Sequence, residues 1–166
     1  MSYSKKLTIL VCGWFVLLAA LANEQDQPFF DTIDQNTRAA IKKGLEYIVS
    51  NQYPKGFFCK NKDEIEKKYT IAVTSFACLA LMADGNLPGH GKYGENMSRG
   101  LDYILGCVDP SGYICDIGEE SRMHGHGFAT LLLAEVYGMS PDKKVREKLK
   151  KAVQRIIDSQ TLDGGW

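Results

Sequence analysis

The chain has 166 residues, a length that favours a single domain. Its 20 basic and 20 acidic side chains cancel, which excludes an electrostatic surface built for nucleic acid or an anionic membrane. A hydrophobic fraction of 45% and an aromatic fraction of 10% are ordinary for a folded core and argue against disorder outside the ends.

Residues 1–22 have the layout of a secretory signal peptide. Lys5 and Lys6 precede an uncharged apolar run over 7–21, and residues 20–22 (ALA) form a small-x-small cleavage pattern. Residues 23–34 then form a short N-terminal extension. We expect a secreted or periplasmic protein with no membrane span after cleavage; an uncleaved signal that anchors the chain in a membrane is the alternative.

Three amphipathic helices are predicted, in chain order, over 35–51, 95–106 and 141–159. In the first, apolar side chains fall at i, i+4, i+7 and i+8 starting from Ile41, with charged residues opposite. The third has a predicted start in which Ser140 is the N-cap and Pro141 takes the first helical position.

Two further helices, over 69–83 and 126–137, are apolar nearly all round, and they alternate with the amphipathic ones. Alanine content and length favour helix over strand for both. A helix that is hydrophobic on every side is expected to be buried on every side. Gly85 and Gly138 are the predicted residues just beyond their C-terminal ends.

Each amphipathic helix leads into a similar seven-residue segment. The three copies are Gln52-x-x-x-Gly56-x-Phe58, Val108-x-x-x-Gly112-x-Ile114 and Gln160-x-x-x-Gly164-x-Trp166. Their first residues stand 56 and 52 positions apart, a spacing typical of repeat proteins, whose units bury apolar faces only against their neighbours. We therefore predict an all-α fold of helical hairpins, with amphipathic helices outside, apolar helices inside, and repeats ending near 58, 114 and 166.

These segments resemble the QW repeats of the squalene cyclase and prenyltransferase superfamily, over roughly Ala39 to Trp166. The stretch from Met123 to Thr130 is similar to that of exported proteins known only by such repeats. The resemblance implies an α/α toroid in which the glutamine side chain hydrogen-bonds unpaired backbone groups at a helix end and the aromatic ring packs over it. A complete toroid needs more hairpins than this chain supplies, so residues 35–166 are predicted to form its N-terminal part, an incomplete toroid.

The catalytic residues of that superfamily do not carry over. The sequence has no Asp-x-Asp-Asp run of the kind with which cyclases protonate an alkene. It also offers no match to the Asp, Cys and His set with which protein prenyltransferases hold zinc. No metal and no cofactor are therefore expected.

His124 and His126 are the most suggestive candidates for ligand binding, because they lie in a glycine-rich lead-in to the second apolar helix. A metal would need a third ligand, for which Glu119, Glu120 and Cys115 are near in sequence. The alternative is that His126 is hydrogen-bonded between helices and His124 is simply exposed.

Glu135 lies in the second apolar helix and is a weak candidate for a catalytic acid, together with His126. A buried carboxylate is more often paired, here with Arg122 or with a lysine of the next helix. Tyr69 and Thr70 open the first apolar helix at the position expected to match His126. Tyr69 is accordingly a candidate ligand contact, with a cap or core role as the alternative.

Four cysteines remain after signal cleavage. Cys78 lies in the most apolar stretch and is expected to be an inert core thiol. The other three, Cys59, Cys107 and Cys115, flank predicted turns, where disulfides form more easily. Which of them pair stays open.

We interpret the chain as an exported, non-catalytic repeat module that binds a ligand or a protein. The alternatives are the N-terminal portion of a toroid enzyme, with terpenoid cyclase-like or polysaccharide lyase-like chemistry, and a fragment with no independent role. The third amphipathic helix should leave an apolar stripe exposed, and self-association through this open edge is expected. The stripe comprises Val145, Leu149, Val153 and Ile156.

Overall fold

The structure, a computed structural model, describes residues 33–59, 68–118 and 120–166. The predicted signal peptide lies outside the described residues, as does the predicted extension up to position 32. The chain divides into two compact units, Met1–Ala40 and Ile41–Trp166. In the first unit, the Asp34 carboxylate accepts a hydrogen bond from the Thr37 amide at 2.9 Å, which lowers the pKa of Asp34.

The described residues form five α-helices and no strand. They are α1 Gln35–Ser50, α2 Thr70–Ala83, α3 Gly94–Gly106, α4 Arg122–Met139 and α5 Lys143–Asp158. The all-α prediction is confirmed, and each predicted helix is present. Among these helices, none has the length and apolar character needed to cross a membrane.

The start of α5 differs from the prediction. Asp142, not Ser140, is the N-cap: its backbone is extended and its carboxylate accepts a hydrogen bond from the Val145 amide at 3.0 Å. A carboxylate at this position satisfies one of the amides that a helix start leaves unpaired. Pro141 therefore precedes the helix and does not open it.

The bounds of α4 also differ from the prediction. The helix begins at Arg122, so His124 and His126 lie inside its first two turns and not in a lead-in. At the other end the helix continues through Gly138 to Met139. The Ser140 amide donates the last hydrogen bond of the helix, to the Val136 carbonyl at 2.8 Å. For α2, the expected glycine end is confirmed, because Gly85 follows the helix with a φ of 83°.

Helix α2 packs against α3 and α4, and α4 also packs against α5. The two apolar helices, α2 and α4, run parallel. Just before their first turns, the Glu120 amide donates a hydrogen bond to the Lys68 carbonyl. Further along both helices, the ring centroids of Phe76 and Phe128 are 4.2 Å apart. The shared side of these helices forms the core. Its fully buried members include Ile71, Cys78, Leu81, Met97, Ile104, Leu132 and Leu133.

The prediction that the apolar helices are buried on every side is wrong. Val73 and Phe76 on α2 are 41% and 50% exposed, and Leu131 on α4 is 47% exposed. In the part of the chain that the structure describes, α3 and α5 cover one side of the α2–α4 pair, and the opposite side is left open to solvent.

The apolar stripe predicted on α5 is only partly exposed. Val145 is buried and Leu149 packs against the core, because α4 covers that side of the helix. Val153 is exposed, as predicted, whereas Ile156 is half-buried; Ile157, which lay outside the predicted stripe, is exposed. The exposed apolar surface of α5 is therefore restricted to its second half.

Candidate functional site

The three glycine segments form the same turn. We call them turn 1 (52–58), turn 2 (108–114) and turn 3 (160–166). Their glycines, Gly56, Gly112 and Gly164, have φ values of 101°, 89° and 87°, a conformation in which any other residue is strained. In each turn the glycine amide also donates to the carbonyl three residues earlier, at 2.8, 3.0 and 2.9 Å. The shared spacing in the sequence is thus a shared backbone conformation.

Gln52 joins turn 1 to α3. Its buried amide nitrogen donates to the carbonyls of Gly56 and Asn96, both at 2.9 Å. Its side-chain oxygen accepts from Asn96 Nδ2 at 2.7 Å and from Arg99 Nη2 at 2.6 Å. This side chain uses its full hydrogen-bonding capacity within the protein, which is a structural role.

Turn 2 packs against α5 in the corresponding way, although valine replaces glutamine at its first position. Lys148 Nζ donates to the Val108 carbonyl at 2.9 Å. A Cβ atom added at Gly112 would collide with the carbonyl of Lys151, just as one added at Gly56 would collide with the carbonyl of Arg99. The two turns therefore contact α3 and α5 at positions 52 residues apart.

Replacing Gln52 by alanine should lower the free energy of unfolding by about 2–3 kcal/mol, because buried carbonyl and side-chain groups lose their partners. Gln160 makes the same bond within its turn, to the Gly164 carbonyl at 3.0 Å, but it is exposed. We expect Gln160→Ala to change stability by less than about 0.5 kcal/mol. Urea unfolding followed by circular dichroism compares the two, and equal losses would contradict the structural role of Gln52.

In turns 1 and 2, the last position bonds to a side chain of the apolar helix that follows the turn. The Phe58 amide donates to Thr74 Oγ1 at 3.0 Å, and the Ile114 amide donates to His126 Nδ1 at 3.2 Å. Thr74 is thus the counterpart of His126, and the expected match of Tyr69 or Thr70 to that histidine is wrong. Thr70 is buried instead at the start of α2, where its hydroxyl accepts from the Tyr103 hydroxyl.

His126 is fully buried, and both of its ring nitrogens are engaged. Nδ1 accepts from Ile114, and Nε2 donates to the Ala152 carbonyl at 3.2 Å, so the ring is a neutral imidazole with a single proton. Burial lowers the pKa of His126, and the nearby Arg155 charge acts in the same direction. The geometry leaves no nitrogen of this ring for a metal or a substrate.

The other candidate residues lie on the exposed side of α2 and α4. We call this surface the α2–α4 patch. Its side chains recur at helical spacing along the two helices; they are Tyr69 just before α2, Val73 and Phe76 on α2, and His124, Phe128, Leu131 and Glu135 on α4. The expectation that Glu135 is buried is therefore wrong, and it makes no ion pair with Arg122 among the described residues. The structure brings Tyr69, His124 and Glu135 onto one face, while His126 faces the core.

Positions on this patch limit its chemistry. Because α2 and α4 are parallel, Tyr69 and His124 lie at the same end. Glu135 stands eleven residues beyond His124, which is about 16 Å along a helix. That separation is too large for the two titratable groups to act on one bond, since general acid and base catalysis needs both within hydrogen-bond reach of the reacting atoms.

No group of three or more His, Cys, Asp or Glu side chains comes together in the residues that the structure describes. Of the suggested third ligands for His124, Glu119 lies outside the described residues, and Glu120 is 3.8 Å from Lys68 in an ion pair. Cys78 is fully buried in α2, and burial raises the pKa of its thiol to about 12, so it stays protonated, as expected of an inert core thiol.

A concave region, separate from the α2–α4 patch, lies between α3 and the α4–α5 junction. Its apolar floor includes Leu101, Leu105 and Val145, and an ion pair between Lys144 and Asp102, 3.7 Å apart, lies at its edge. Sequence reasoning named none of these residues as a ligand-binding or catalytic residue; Val145 was named only in the apolar stripe of α5. The same holds for Asn96 and Arg99, whose role depends on a contact that spans more than forty residues.

In comparisons with protein-family models, with curated proteins and with solved structures, nothing matches this chain. The two features that bear on function are the repeated turns, which hold helices together, and the α2–α4 patch, which is exposed.

Proposed function

We propose that this chain is an exported α/α-toroid repeat protein, similar to the terpenoid cyclase and prenyltransferase superfamily, and that it serves as a non-catalytic binding module. The observation that carries the proposal is the α2–α4 patch, where the Phe76 side chain is half exposed and contacts the Phe128 ring. Contiguous exposed apolar surface of this kind marks an interaction site in folded proteins.

Two points favour binding over catalysis. His126, the histidine nearest the core, uses both nitrogens to hold turn 2 and α5 in place. The remaining titratable groups of the patch, His124 and Glu135, stand too far apart to act on one bond. The alternative of a toroid enzyme completed by further repeats would have to take its catalytic groups from those repeats.

The chemistry of the patch points to an apolar occupant. Its centre consists of aromatic and branched aliphatic side chains, and its polar groups lie at the two ends, Tyr69 and His124 at one and Glu135 at the other. Such a surface suits an apolar ligand or an apolar segment of a protein whose polar groups, if any, lie at its ends. Export, indicated by the predicted signal peptide, would place this partner outside the cytoplasm.

The proposal can be tested with the dye 1-anilinonaphthalene-8-sulfonate and the full chain. Phe76→Ser should weaken dye binding about fivefold, because losing part of the burial of a phenylalanine ring costs about 1 kcal/mol. Ile157, exposed on α5 away from the patch, supplies the matched control, and Ile157→Ser should leave binding unchanged. Equal effects of the two substitutions, or none from Phe76→Ser, would refute the patch as the binding site.

A further inference from the structure

The two ends of turn 2 lie side by side. Val108 and Ile114 form an antiparallel bridge. One residue outside this bridge on each side, the Cys115 amide donates a hydrogen bond to the Cys107 carbonyl at 3.2 Å. We call the pair of residues in this position the neck of the turn. The neck of turn 2 therefore consists of two cysteines, which the structure holds as thiols.

The spacing at the neck of turn 2 suits a disulfide. Residues that face each other across an antiparallel pair and share a backbone hydrogen bond have Cα atoms about 5.5 Å apart. Cysteines that form disulfides have Cα atoms about 4.4–6.8 Å apart, most often about 5.5–6 Å. Residues opposite each other in this way also carry their side chains on the same face. Side-chain rotation can therefore bring the sulfurs of Cys107 and Cys115 together without moving the turn.

Turn 1 shows how far a sulfur in this position reaches. Its neck consists of Asn51 and Cys59, whose amide donates to the Asn51 carbonyl at 3.5 Å. The Cys59 sulfur lies 3.7 Å from the same carbonyl oxygen, so it extends to the opposite residue. Cys115 is the counterpart of Cys59, 56 positions later, but its thiol donates to the Asp116 carbonyl at 3.4 Å. A thiol is a weak donor, so little is lost when the Cys115 sulfur turns toward Cys107.

The cysteines also differ in their access to an oxidant. Cys115 is exposed, and Cys107 is half-buried against the core. Cys59 and Cys78 are buried. Across the neck of turn 1, Cys59 faces an asparagine, which cannot form a disulfide, and Cys78 lies inside α2. In the part of the chain that the structure describes, Cys107 and Cys115 thus combine a direct backbone contact with an exposed sulfur.

We propose that Cys107 and Cys115 form a disulfide across the neck of turn 2 when the chain meets a disulfide oxidant such as oxidised glutathione. The Cys115 thiolate attacks one sulfur of the oxidant, and one glutathione leaves and takes up the proton that Cys115 lost. The Cys107 thiolate then attacks the Cys115 sulfur, and the second glutathione leaves with the proton of Cys107. Two cysteine thiols are oxidised and one glutathione disulfide is reduced. The inference goes beyond the binding role and draws on the proposed export only for oxidising surroundings.

The disulfide would stabilise the turn that holds α4 and α5. Turn 2 bonds His126 of α4 through the Ile114 amide and Lys148 of α5 through the Val108 carbonyl. Val108 and Ile114 are the immediate neighbours of the two cysteines. Closing the loop over 107–115 restricts the unfolded chain, so oxidation should raise the melting temperature by about 5–10 °C.

The test locates the disulfide by mass spectrometry. The full chain is treated with oxidised glutathione and quenched in acid, and the remaining thiols are alkylated in denaturant. Trypsin leaves Cys107 and Cys115 together in the peptide 100–122 and leaves Cys59 in the peptide 56–60. We expect the peptide 100–122 to carry no alkyl group and to be lighter than its reduced form by two hydrogen atoms. The peptide 56–60 should be alkylated, and the protein should run as a monomer on a non-reducing gel.

Thermal melting of two variants, followed by circular dichroism, links the disulfide to stability. Oxidation should raise the melting temperature of Cys59→Ser as much as that of the unsubstituted protein. It should leave the melting temperature of Cys115→Ser unchanged, and this exposed position accepts serine without disturbing the fold. The inference would be overturned by double alkylation of the peptide 100–122 after oxidation, or by a link from Cys115 to a cysteine other than Cys107. An equal rise in Cys115→Ser would also overturn it.

The mass map needs no variant, so it stands even if a substitution prevents folding. Its outcome is also separable from the proposed function, because neither cysteine belongs to the α2–α4 patch and the oxidant is supplied. A disulfide at the neck without the dye-binding effect of Phe76→Ser would reject the proposed function alone. The dye-binding effect without the disulfide would reject the disulfide alone.

Discussion

Gly56→Ala and Gly112→Ala should each destabilise the protein by about 3 kcal/mol. These are the largest effects expected of any glycine-to-alanine change in the three turns. Two costs combine at each position. The backbone holds a positive φ, which costs about 1 kcal/mol for a residue with a Cβ atom. The new Cβ also collides with the carbonyl of Arg99 or Lys151, atoms of a helix backbone that cannot move aside without disturbing the helix.

Gly164 separates these two costs, because it has the same φ but no helix against it. Gly164→Ala should therefore lose only about 1 kcal/mol. Urea unfolding, monitored by circular dichroism, gives the three values. Equal losses at Gly56 and Gly164 would mean that turn 1 does not pack against α3 as described.

His126→Ala should destabilise the protein by about 3–5 kcal/mol, since the substitution leaves a cavity in the core and removes the partners of the Ile114 amide and the Ala152 carbonyl. His124→Ala, two residues away on the exposed side of the same helix, should change stability by less than about 0.5 kcal/mol. Thermal and urea unfolding of the two variants provide the comparison. A large effect of His124→Ala with none from His126→Ala would reverse the assigned roles.

The pH dependence of stability offers an independent check on His126. The folded-state pKa lies below the ordinary value of 6.5, chiefly through burial, so between the two values the unfolded chain binds more protons than the folded one. The stability contributed by the neutral ring is therefore present above pH 6.5 and is lost as pH falls toward the folded-state pKa. His126→Ala should lack this loss. Parallel pH profiles of the two proteins would show that the imidazole does not titrate in this way.

The helices and the turns were predictable because both depend on nearby residues. The 3.6-residue spacing of apolar side chains predicts α1, α3 and α5, and the glycine of each turn reflects a backbone conformation that only nearby residues determine. The prediction was wrong where two nearby residues could both act as the N-cap of a helix. At the start of α5 the N-cap is Asp142 and not Ser140.

The exposed side of the apolar helices and the role of His126 were decided by tertiary structure alone. A helix such as α2, apolar all round, carries no sign of which side its neighbours cover, so Phe76 and Leu81 are alike in the pattern although one is half exposed and the other buried. An H-x-H pair likewise does not show that one ring faces the core and the other faces solvent.

By itself, then, the sequence determined an all-α chain with three equivalent turns at regular intervals. Tertiary structure decided which helix turn 1 and turn 2 contact and which side of α2 and α4 forms the α2–α4 patch. The physical reason is distance along the chain: periodicity and turn geometry arise within a few residues, whereas Gln52 finds its partner Asn96 44 positions away. Contacts of that range depend on how helices pack, which local patterns do not specify.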